Sequence, residues 1–146
     1  METKPSNPKD VLAVRKPRWF SFLPLQVLAG VGLAMLEGAI KYGKHNYRAV
    51  GVRASVYVDA AVCGHLMRWY EGEDIDPDSG LSHIDKAIAS LMILRDGMIQ
   101  GNWVDDRPLK GQDMQVFMGD VQDAFDMIIE KYQHVSPVAP FTEKLS

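Results

Sequence analysis

Between Glu71 and Gly80 the chain carries five carboxylates in ten residues, Glu71, Glu73, Asp74, Asp76 and Asp78. A sixth follows at Asp85, His83 lies beside it, and no Lys or Arg interrupts the run before Lys86. Carboxylates at this density repel one another unless something positive sits among them, and Mg²⁺ and Mn²⁺ take oxygen ligands. The run is therefore a candidate cation site. Helix caps explain part of it equally well: Asp76-Pro77 reads as an N-cap before an N1 proline, and Ser82 with Asp85 as a capping box. Neither cap accounts for Glu71, Glu73, Asp74 and Asp78.

Two acids stand apart from this run. Glu37 is the one acid between Asp10 and Asp59, late in an otherwise apolar stretch; it reads either as a ligand or as an i,i+4 partner of Lys41. Asp59 lies on the apolar flank of the next segment. Between them Lys41, Lys44, Arg48 and Arg53 put four cations within thirteen residues, in a Gly-bounded connection suited to phosphate or to solvent. Cys63 is the single cysteine, so no disulfide forms within one chain, a zinc site would have to be led by histidine, and a reducing cytoplasm is the expected compartment. Cys63 and His65 read as core residues ahead of nucleophile or ligand.

The elements that must position these residues are helices. Apolar spacing predicts one from Pro24 to Tyr42-Gly43, a second over about Arg53–Tyr70, a third over about Leu81–Met98 and a fourth over about Asp113–Gln133. That is an all-α bundle, with the acidic run at the bend between the second and third helices. No strand is expected. Residues 1–18, with three prolines and a net charge of +3, read as an extended basic arm, residues 19–134 as one domain and 135–146 as an extended tail. The overall charge of −3, with 47% hydrophobic and 24% charged residues, describes an ordinary globular chain and excludes disorder. The uncharged run Trp19–Leu36 is at the lower limit for a membrane span, but Pro24, Gln26, Gly30 and Gly32 make it a better bundle helix.

Several segments together carry a resemblance. Gly38-Ala39-Ile40-Lys41-Tyr42-Gly43-Lys44-His45-Asn46-Tyr47-Arg48, His65-Leu66, Gly72-Glu73-Asp74-Ile75-Asp76-Pro77-Asp78-Ser79-Gly80 with His83, and Asp105-Asp106-Arg107-Pro108 resemble the phage dATP/dGTP diphosphohydrolases. Those are relatives of the MazG-like all-α nucleoside triphosphate pyrophosphohydrolases. The likeness spans roughly residues 19–108. It implies metal-dependent hydrolysis of a purine deoxynucleoside triphosphate, dGTP above all, to the monophosphate and pyrophosphate. In phages that replace adenine by 2-aminoadenine, the dGMP would feed synthesis of the modified nucleotide. It also implies Mg²⁺ or Mn²⁺ held by an E-x-x-E and E-x-x-D pattern, and a homodimer or homotetramer.

The chain departs from that pattern. Glu37 and Asp59 take the second Glu and the final Asp, but Ala34 and Val56 stand at their partner positions, while Glu73-x-x-Asp76 fits only the last half. The expected site is therefore Glu37 and Glu73 as catalytic residues, with Glu37, Asp59, Glu73, Asp76 and His83 as metal ligands. Lys41, Arg48 and Arg53 are the expected phosphate contacts, Asn46 the base or ribose contact, and Tyr42 or Trp69 the stacking surface. The rivals are a small helical protein that binds a metal or partner without catalysis, and a histidine-led phosphohydrolase. The latter needs a His-Asp pair, and His83-Ile84-Asp85 is the nearest approach to one. The bend also lacks the closing Glu and the central Gly of a calcium-binding EF-hand loop.

Overall fold

The computed structural model describes residues 5–142 and Lys144; of the basic arm, Glu2 and Lys4 lie outside the described residues. The chain divides after Arg107 into two compact units. The first holds α1 (Pro8–Ala13), a 3₁₀ turn at Phe20–Phe22, α2 (Leu25–Tyr42), α3 (Asn46–Ala49) and β1 (Val52–Arg53). There follows a long interrupted helix made of α4 (Ala54–Ala61), a π turn (Val62–Leu66) and α5 (Met67–Tyr70), then α6 (His83–Ile99) and β2 (Trp103–Val104). The second unit holds α7 (Met114–Lys131), and no secondary structure is assigned to residues 136–142. The class is all-α, as the apolar spacing predicts.

Two local expectations are corrected. The arm expected to be extended contains α1, because Asn7 caps it, its side chain accepting from the Lys9 N–H at 2.9 Å, and Pro8 opens its first turn. β1 and β2 form a two-stranded parallel ladder, Val52 beside Trp103 and Arg53 beside Val104. Two residues per strand leave no alternation for a sequence to display. Of the two helix-start signals in the bend, Ser82 opens α6, its hydroxyl accepting from the Asp85 N–H, in line with the expected start near Leu81.

The first unit is held together by small residues. Val31 and Ala34 of α2 pack against Ala89 of α6, with Met35, Leu81 and Ile88 around them, while Ala54, Ala61 and Ala87 are buried nearby. Side chains of this size let helices approach closely, but they bury little apolar area each. Leu25, Leu33, Leu36 and Ile40 of α2 stay more than half exposed. α2 is long and apolar enough by length and composition to cross a membrane; it packs on α6 and carries the Glu37–Lys41 ion pair near its end.

The far end of α6 is also fitted tightly. A Cβ on Gly97 would lie 2.6 Å from Cγ2 of Val52 and 3.3 Å from the backbone oxygen of Asn102. Helix propensity favours Ala over Gly by about 1 kcal/mol, whereas overpacking costs about 1–3 kcal/mol. Neither the branched valine nor the carbonyl can swing away, so the second effect wins. Gly97→Ala is expected to lower the urea midpoint at unchanged m-value, by about 1 kcal/mol of stability; an equal or higher midpoint would show that β1 yields freely.

Candidate active site

The acidic bend is a closed loop. Ile75 bridges Ser82, the Asp76 N–H donates to Leu81 O at 2.9 Å, and the Gly80 N–H donates to Asp76 O at 2.7 Å. Gly80 sits at φ +73°, a turn conformation suited to a residue without Cβ. This closure drives Asp76 inward: it is 4% exposed, and its Oδ1 accepts the Asp78 N–H at 3.0 Å. Burial works against its charge, but the Lys86 ammonium and the Asp78 N–H outweigh that and hold the carboxyl at about 2.

Lys86 is the positive group among the acids. Its Nζ lies 2.8 Å from Asp76 Oδ2 and 3.0 Å from Glu37 Oε2, with only 13% of the side chain exposed. Burial disfavours its charge, yet the two carboxylates raise its pKa above the ordinary lysine value. On its other oxygen Glu37 meets Lys41 Nζ at 2.6 Å, and Lys41 also reaches Asp78 Oδ2 at 3.0 Å. The hydrogen bond from Lys41, and then Lys86, keep Glu37 ionised below the usual carboxylate range against the pull of burial. Glu37 is thus the i,i+4 partner of Lys41, and it also faces the cavity.

Glu37, Lys41 and Lys86 line a cavity of about 700 Å³ enclosed by α2, the connection to α3, α4 and α6. Its other polar and aromatic lining includes Tyr42, His45, Asn46, Tyr47, Tyr57 and His65. A pocket of this size suits a nucleotide-sized ligand.

His65 belongs also to a second cluster. The π turn, wider than an α turn, carries it, and its Nδ1 lies 3.0 Å from Nδ1 of His83. His83 is fully buried, and its Nε2 meets Glu73 Oε1 at 2.7 Å. Glu73 is in turn held by Arg68 at 2.6 Å. Burial and the nearby Lys86 charge lower the pKa of His65. His65, Asp76 and His83 each offer one donor atom, all within 4.8 Å of one another.

With this geometry stands one comparison: the family model described as dATP/dGTP diphosphohydrolase, N-terminal, matches residues 6–107. The chain belongs to the dATP/dGTP diphosphohydrolase family. No curated protein and no solved structure matches it. The diphosphohydrolase match stops where the first unit stops, so the cavity and the histidine cluster both fall inside the matched domain.

Within this diphosphohydrolase domain the expected site residues are distributed unevenly. Glu37, Lys41, Tyr42 and Asn46 line the cavity. Asp76, His83 and Glu73 gather behind it, with Lys86 and His65 as the links. Arg48 is committed elsewhere: it grips Asp96 through two hydrogen bonds of 2.6 and 2.8 Å, and Asp96 raises the guanidinium pKa against the effect of burial. Arg53 lies 3.7 Å from Asp106, and neither arginine lines the cavity. Asp59 is exposed on α4, outside both the cavity lining and the histidine cluster. Trp69 also lies outside the lining. Asp106 instead braces the start of α4, accepting from the Ser55 N–H at 2.9 Å and from the Ser55 hydroxyl. Lys86 was missed because it reads as the end of an acidic run. Its signal is its position one turn after His83, on the same side of α6.

Proposed function

We propose that the chain hydrolyses a purine deoxynucleoside triphosphate, dGTP or dATP, to the monophosphate and pyrophosphate with Mg²⁺ or Mn²⁺. The observation that carries this reading is the cavity wall itself, where the Glu37 carboxylate stands between the ammonium groups of Lys41 and Lys86. Such a wall offers cations to a polyanion and a base to water in one place. Tyr42, Tyr47 and Tyr57 supply aromatic surface for a base within the same 700 Å³.

The chain's own groups divide the work. Lys41 exchanges Glu37 and Asp78 for phosphate oxygens, a cheap exchange because it is partly exposed. Freed of that partner, Glu37 accepts the proton of the attacking water. The water oxygen bonds to the α-phosphorus, the bond from that phosphorus to the α,β-bridging oxygen breaks, and pyrophosphate leaves with the electron pair. Asn46 meets the base or ribose. Arg48 and Arg53 join the phosphate contacts only by releasing Asp96 and Asp106. The donor set of His65, Asp76 and His83 fits a divalent cation, and such ions, when bound, neutralise the triphosphate and acidify coordinated water.

A homodimer or homotetramer belongs to the same reading. Its support is the exposed α2 stripe of Leu25, Leu33, Leu36 and Ile40 over a core made of small residues. In a phage that carries 2-aminoadenine, the dGMP produced in the host cytoplasm would supply the modified nucleotide.

A panel of nucleoside triphosphates, assayed for pyrophosphate with each metal, tests the proposal. Release from dGTP or dATP that exceeds release from pyrimidine nucleotides by tenfold or more is the expected result. Absence of release from every nucleotide with both metals would overturn it and leave a binding protein.

A further inference from the structure

We infer that His65, Asp76 and His83 bind one first-row transition-metal ion, with Glu73 outside the ligand set as the group that aims His83. The argument begins with Glu73. An ionised carboxylate only accepts hydrogen bonds, so at 2.7 Å it fixes the proton of His83 on Nε2. The lone pair of His83 is then on Nδ1, which points at His65 Nδ1 from 3.0 Å away. A carboxylate on the far nitrogen of a ligating imidazole is the arrangement that sets tautomer and ring orientation in metal sites. Arg68, 2.6 Å from Glu73, holds that carboxylate in place. This gives Glu73 a positioning role in place of direct ligation.

The two imidazoles are spaced nearly as one ion requires. Two imidazole nitrogens bound tetrahedrally at about 2.0–2.1 Å lie about 3.3 Å apart. His65 and His83 need to part by only a few tenths of an ångström from their present 3.0 Å. The third donor, Asp76, is buried, with Oδ1 on the Asp78 N–H and Oδ2 on Lys86. Two nitrogens and one oxygen favour borderline ions such as Zn²⁺, Co²⁺ or Mn²⁺ over Mg²⁺, which takes oxygen. Three protein ligands are also the count at which zinc sites keep a position open. His65 lines the cavity, so the ion belongs to the cavity wall.

The π turn supports the assignment independently. Single π turns inside α-helices occur often at functional sites. Here the turn spans Val62–Leu66 and contains the one histidine of that helix.

The inference can be tested without nucleotide, so its outcome and that of the pyrophosphate assay are separable. The full-length chain is stripped with a chelator, dialysed, and titrated with Co²⁺ while visible d–d absorption and heat are recorded. One ion per chain, with ligand-field bands indicating nitrogen ligation and no displacement by a large excess of Mg²⁺, is the expected result. His65→Ala should weaken Co²⁺ binding by at least roughly 100-fold. Glu73→Gln keeps a hydrogen bond to His83 but removes the charge, and should weaken binding between about 10- and 100-fold at unchanged stoichiometry. Circular dichroism of both variants confirms that the helices persist. Absence of Co²⁺ binding by the parent chain, equal competition by Mg²⁺, or parental affinity in folded His65→Ala would each overturn the assignment.

Discussion

Lys86→Met should destabilise the chain by about 3 kcal/mol, the low end of the range for removing one partner of a buried ion pair. The ammonium is the basic partner of Asp76, whose side chain is 6% exposed, and shares Glu37, at 21%, with Lys41. Methionine fills the volume of the lysine stem, so packing changes little and the uncompensated Asp76 carboxylate dominates. For a unit of roughly a hundred residues, this corresponds to a fall in melting midpoint of about 10 °C or more. Denaturation followed by circular dichroism, in chelator, reads the effect. Adding Asp76→Asn and Glu37→Gln to the Lys86→Met chain should restore most of the loss, because the stranded charges go with the ammonium. A single variant as stable as the parent would mean that solvent already screens these three groups.

Glu37→Gln should reduce pyrophosphate release from dGTP or dATP by roughly 100-fold or more, the lower bound of what a positioned base contributes. The amide still accepts a hydrogen bond from one of the two lysines, and Lys86 keeps Asp76, so stability should change by less than about 1 kcal/mol. Loss of turnover with an unchanged unfolding curve is therefore the signature of a chemical role. Asp59→Asn is the matched control. Its carboxylate is exposed and lies outside the cavity and the histidine cluster, so turnover should stay within about twofold. Parental turnover in Glu37→Gln, or loss in Asp59→Asn, would shift the reacting centre toward α4.

Which parts of this site were legible in the sequence follows from the forces involved. Helices α2, α6 and α7 are legible because each repeats apolar residues at helical spacing over four or more turns. The acidic bend is legible as a charge anomaly, and so is Glu37. What lies between Arg53 and Tyr70 is harder. A period of 3.6 puts Val56, Ala60, Cys63 and Met67 on one face, but the π turn adds a residue to one turn and rotates everything after Ala61. His65 is thereby brought to His83, a meeting that no fixed period predicts. Lys86 is invisible for another reason: its role depends on Asp76 and Glu37 arriving from two other segments. Arg48 misleads in the opposite sense, since a cation in a Gly-bounded connection reads as a phosphate contact while the fold supplies Asp96.

One further property follows from α6. Its start carries His83 and Lys86, and one turn before its end Asp96 clasps Arg48 of α3, the short helix that carries the cavity-lining Asn46 and Tyr47. Lys86 and Asp96 are ten residues apart, about 15 Å along a rod of nearly fixed length. The groups that would receive the base and those that would receive the phosphates are thus mounted on a common ruler. Its graduation is set by backbone hydrogen bonds rather than by loop flexibility, so on the proposed reading the cavity would gauge how long a molecule is as well as what charge it bears.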